Sequence, residues 1–175
     1  MRLLKLPLVA SALLVALAVN AFGEMKDWRS PQHGFHLSYN TDAWIATAPD
    51  RLDPRQPNVF LASNVDRTVS IAIRVTSTPG AQLDEALLKK FADGFARGAE
   101  RSGKKNTVEW TQTDFATEAG CMFRTRYEDP NPNAFMIGRI VLHNGNLYQI
   151  VAVSKVASEE FRADAERILR SFTFQ

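Results

Sequence analysis

Residues 135–155 read FMIGRIVLHNGNLYQIVAVSK, and this stretch decides the fold. Asn144-Gly145 divides two apolar runs, and both central positions of a two-residue hairpin turn want the positive φ that Asn and Gly tolerate best. In the first arm Met136, Ile140 and Leu142 take one face while Phe135, Ile137 and Val141 take the other. Strands apolar on both faces belong in the middle of a sheet covered on both sides. The pattern predicts a hairpin with arms over 135–143 and 147–155.

Working outward, Cys121, Phe123, Thr125 and Tyr127 alternate with polar positions, which predicts a strand over 121–127 with Cys121 on its apolar face. A strand over 107–114 precedes it. The clearest alternation is Val69, Ile71, Ile73 and Val75 within 68–76, and a short strand over 59–62 precedes that. Phe35, Leu37 and Tyr39 give a first strand, which Trp44-Ile45-Ala46 continues after the turn Asn40-Thr41-Asp42. Pro49 to Pro57 carries three prolines and reads as a surface loop.

Two segments carry a helical period. Leu83, Leu87, Phe91 and Phe95 recur every fourth residue over 82–102, with acids in the first turn, arginines near the end and Gly103 as the stop. Phe161, Ala165, Ile168 and Phe172 mark a second helix from an N-cap at Ser158 to Ser171. The fold class is α+β: an antiparallel sheet of about six strands flanked by two main helices.

Residues 1–21 read as a signal peptide, with cleavage as late as Gly23 an alternative. Arg2 and Lys5 precede an apolar run from Leu6 to Val19, and small residues close it at Ala21. The run is shorter than the roughly 20 residues that span a bilayer. No cysteine follows it to carry a lipid, so no membrane anchor is expected after cleavage. Residues 22–175 form one domain, periplasmic or secreted. Without Arg2 and Lys5 the 21 basic side chains become 19, equal to the 19 acidic ones. A formally neutral domain gives no global attraction for nucleic acid.

Several short motifs resemble the PsbP-like family. They are Gly34-Phe35-His36-Leu37-Ser38-Tyr39 with Trp44 after it, the strand and helix pair over 68–102, Asn146-Leu147-Tyr148-Gln149-Ile150 after a glycine turn, and a helix closing in Ile168-Leu169-Arg170-Ser171-Phe172. The layout is similar to that of the family's small exported bacterial members of the DcrB type, without their lipid-anchor cysteine. The resemblance implies an antiparallel sheet flanked by helices and a non-catalytic accessory or binding role, since the family has no shared active site.

The residues agree in offering no catalytic machinery. Gly98 to Lys104 has phosphate-loop spacing, but Lys105 stands where a Ser or Thr belongs, and a helix precedes the loop where a strand should. His33 and His36 fall on opposite faces of an extended segment and lack a third metal ligand nearby. Asp114, Glu118, Glu128 and Asp129 have no spacing that predicts perturbed acidity. No catalytic residue, metal site or cofactor is assigned.

The candidate surface is a set of arginines on polar strand faces, Arg74, Arg124, Arg126 and Arg139, with Asp129 in the proline-rich loop 128–133. Such arginines suit a small anionic ligand or an acidic protein partner. The expectation is an exported, non-catalytic binding or accessory protein. Alternatives are a periplasmic immunity or inhibitor protein against a toxin, and a small enzyme with a site assembled from Tyr148, His143 and Asp129.

Overall fold

The computed structural model describes residues 24–48, 51–52, 58–101, 105–127, 135–154 and 159–175. The signal segment, most of the loop 49–57, Gly103, the loop with Asp129, the side chain of Arg126 and the expected N-cap Ser158 lie outside the described residues. In chain order the elements are β1 (Met25–Ser30), β2 (Phe35–Asn40), β3 (Trp44–Ala46), β4 (Asn58–Asn64), β5 (Val69–Ser77) and α1 (Glu85–Glu100). They continue with β6 (Asn106–Gln112), β7 (Cys121–Tyr127), β8 (Phe135–His143), β9 (Asn146–Ser154), α2 (Glu159–Ser171) and β10 (Thr173–Phe174).

Among the described residues the class is α+β with antiparallel sheets and two helices, as the periodicities predict. The strands, however, form two sheets rather than one of about six: a seven-stranded sheet ordered β3-β4-β5-β9-β8-β7-β6 and a three-stranded sheet ordered β1-β2-β10. The expectation that Trp44–Ala46 continues the first strand is corrected. β2 pairs with β1 and β10, whereas β3 crosses to the other sheet and pairs with β4. Between them the Asn40 side chain accepts a bond from the Asp42 amide at 2.8 Å and turns the chain.

The hairpin of residues 135–154 occupies the middle of the large sheet, with β9 between β5 and β8. Asn144 (φ 48) and Gly145 (φ 71) both adopt the left-handed conformation that their turn demands. Its two apolar faces serve two cores. On the inner face Ile71, Ile73, Val141, Ile150 and Ala152 pack with Phe35, Leu37 and Tyr39 of β2, and with Ala165, Ile168, Leu169 and Phe172 at α2. On the outer face Cys121, Phe123, Ile140 and Leu147 pack against Leu83 and Leu88, with Leu87, Phe91, Phe95 and Trp110 at the margin.

α1 begins at Glu85, later than its period alone suggests, because Asp84 is the cap. The Asp84 carboxylate accepts the Leu87 amide at 2.8 Å. Leu83 before the cap and Leu88 after it both bury in the outer core, which fixes the angle at which the chain enters the helix.

Candidate functional site

Among the described residues, only half of the outer face of the large sheet is occupied. Cross-strand registers place Leu61, Ala72, Val151, Gly138, Phe123 and Trp110 in one row running from β4 to β6. α1 lays Phe91 and Phe95 on Phe123, at ring separations of 5.1 and 5.6 Å, and so covers the β6-β7-β8 half. Over the β3-β4-β5-β9 half Ile45 stays 57% exposed, and Leu61, Ser70, Ala72 and Val151 are half-buried.

A groove of about 190 Å³ lies along this boundary. Phe95 forms one wall, Ala72, Met136, Val151 and Val153 line the apolar part, and Ser70, Gln149 and Arg74 supply its polar atoms. Arg74 and Gln149 are register partners, so they stand side by side at one end. The Arg74 Nε donates to Asn58 Oδ1 at 3.0 Å, a neutral acceptor that orients the guanidinium, and no carboxylate among the described residues pairs with it.

The predicted arginine patch is divided by the same registers. Arg74 shares the outer face with Gln149 and Ile140, whereas Arg124 pairs with Ile137 and Arg139 with Met122 and Ile150, on the inner face. Arg124 forms an ion pair with Glu109 at 2.7 Å. Arg126 pairs through its backbone with Thr107.

Arg139 requires the largest correction: it is no surface residue but is 7% exposed. Its guanidinium donates to four main-chain carbonyls, Glu118 at 2.6 Å, Ala119 at 2.8 Å, Phe172 at 2.9 Å and Leu169 at 3.0 Å. It thereby caps the C-terminal end of α2, where unpaired carbonyls and the helix dipole favour a cation, and ties that end to the turn before β7. Burial pushes its pKa down and the nearby Arg170 adds to this, while Glu118 opposes them.

The other singled-out groups are also bound into structure. Tyr148 donates its hydroxyl to the His33 carbonyl at 2.8 Å, and burial raises its pKa. His143 stacks on Phe174 at 3.8 Å and meets Glu118 at 2.9 Å. His36 contacts Thr173, and burial lowers the pKa of His33. Cys121 is buried beneath α1, with its thiol pKa pushed up by desolvation. Asp114 departs from expectation: the Thr117 hydroxyl and the Ala116 amide hold its carboxyl below the ordinary range. Among the described residues no cluster of three or more His, Cys, Asp or Glu side chains could hold a metal, and no helix is long and apolar enough to cross a membrane.

The architecture matches that of cyanobacterial PsbP (CyanoP) from Synechocystis sp. PCC 6803, known from its solution structure. The TM-score is 0.60 over 87% of this chain and 94% of that one, at 12% sequence identity. The fold is PsbP-like. A structure from Bacteroides thetaiotaomicron aligns with a TM-score of 0.43 at 16% identity, over 88% of this chain and 49% of that one. No family model and no curated protein matches by sequence. In this PsbP-like domain the groove lies on the side of the large sheet that carries α1, opposite α2 and the three-stranded sheet.

Proposed function

We propose that the chain is an exported, non-catalytic binding or accessory protein of the bacterial envelope, which engages its partner on the open half of the seven-stranded sheet around Arg74. The observation that carries this reading is the position of Arg74: a guanidinium with a neutral hydrogen-bond partner, beside an apolar groove on a sheet half that α1 leaves open. An arginine held by a neutral acceptor beside apolar surface is a suitable anchor for an anionic group. Export is supported by the basic start at Arg2 and Lys5, the apolar run 6–19 and the small residue at Ala21. The PsbP-like fold supports an accessory role by analogy.

The test is in-cell crosslinking and affinity capture with the full chain, beside Arg74→Glu. A partner recovered with the wild type and lost with the variant supports the reading, and a toxin as that partner would make the protein an inhibitor. Equal recovery with both chains moves the interface elsewhere. A saturable turnover abolished by a point substitution would overturn the non-catalytic assignment.

A further inference from the structure

We infer that the Arg74 groove is a binding site for a small organic carboxylate bearing one aromatic ring or a short alkyl chain. This rests on the reading of the open sheet half as a binding surface and gives it a chemical class.

The charge of the ligand follows from the donors that Arg74 presents at the groove. Arg124 is paired with Glu109, Arg162 with Glu159 and Arg167 with Asp164, while Arg139 donates to four carbonyls. Arg74 has no carboxylate partner among the described residues, and Asn58 engages its Nε alone. Its terminal nitrogens remain as donors for a two-pronged acceptor, which is the geometry of a carboxylate. Among the described residues Arg74 is also the one charged residue lining the groove. One cation balances a monoanion, whereas a phosphate monoester carries nearly twice that charge.

The body of the ligand follows from the rows of the sheet. Arg74 and Gln149 form the first row, Ala72 and Val151 the second, Ser70 and Val153 the third. Alternate residues of a strand stand about 6.7 Å apart, so the three rows span about 13 Å. The middle row is apolar, and Met136 and Phe95 flank it. A volume of about 190 Å³ exceeds the roughly 150 Å³ of a cavity that accepts benzene. An aromatic ring or short chain therefore fits beyond the carboxylate, over Ala72 and Val151, with the Gln149 amide beside the head.

The experiment is an amide-resolved NMR titration of the full chain with 3-phenylpropionate and octanoate, repeated with 3-phenylpropionamide and with Arg74→Gln. Because Arg74 is exposed, the variant is expected to fold, and its unperturbed spectrum confirms this. The expected result is saturable shifts at Ala72, Val151 and Val153, with affinity reduced about tenfold or more by the neutral amide and by the variant. Absence of shifts with both carboxylates at millimolar concentration overturns the inference, as does equal binding by Arg74→Gln. A protein partner captured through Arg74 without carboxylate binding would refute the inference and leave the binding reading standing.

Discussion

The ring of Phe123 lies directly over Gly138, so a Cβ on that glycine would stand 2.5 Å from two ring carbons and 2.9 Å from the Ile150 carbonyl oxygen. The ring cannot easily move aside, because Phe91, Phe95 and Trp110 surround it at centroid separations of 5.1 to 5.6 Å. The glycine exists here for the close approach of a side chain, not for a turn. Gly138→Ala is expected to destabilise the domain by about 1–3 kcal/mol through overpacking. Urea unfolding checks this: the midpoint should fall with little change in slope, and an unchanged midpoint would show that the aromatic cluster yields freely.

Replacing Arg139 with Met keeps most of its volume but leaves the carbonyls of Glu118, Ala119, Leu169 and Phe172 without this donor. The bonds to Leu169 and Phe172 are buried, and each unsatisfied buried group costs about 1–3 kcal/mol, so a loss of at least about 2 kcal/mol is expected. Lys should rescue only partly, since one ammonium cannot reproduce the planar fork. Chemical denaturation of both variants decides it; a methionine variant as stable as the wild type would show that water replaces the guanidinium.

The role of Arg139 marks where sequence reading stops. The alternation of Val69, Ile71 and Ile73 and the Asn144-Gly145 turn are local signals, and local geometry satisfies them. Arg139 sits in a strand that also reads locally, but its acceptors come from segments 20 to 33 residues away. Nothing in its neighbours distinguishes a buried cap from a surface charge. β1 was hidden for a related reason: Met25, Lys26 and Asp27 are exposed, and the strand exists because β2 offers an edge. Arg74 was legible as a candidate, but its separation from Arg124 and Arg139 depended on registers between strands. The cap by Asp84 was within reach, since an acid just ahead of an apolar helical period is a recognisable start signal.

Asp114 predicts a pH dependence. Bonds from Thr117 and Ala116 lower its pKa from the ordinary 3.8. The stability it contributes is fully present above the ordinary value and is lost as pH falls through the lowered one. Asp114→Asn should therefore reduce stability at neutral pH and flatten the acid limb of the stability curve. Thermal melts from pH 7 down to pH 2 test this, and parallel curves for the two proteins would discard it.

Trp44 donates its indole N–H to Asp164 at 2.6 Å, joining the edge strand β3 to α2. Trp44→Phe should cost about 1.5–3 kcal/mol, the range for a hydrogen bond to a charged group. Asp164→Asn should cost less, because an amide oxygen still accepts. A double-mutant cycle by urea unfolding isolates the pair, and a coupling near zero would assign the cost to packing alone.

β10 pairs with β2, and Ser171 bonds to Ser38 across 133 residues of sequence. A chain emerging in order cannot make these contacts until nearly all of the domain is available. Loops of that length close late, and until then Phe35 lacks Phe172, which it meets at 4.9 Å in the finished core. The latch is made from a late segment, so the same pairing that completes the inner core also postpones its closure.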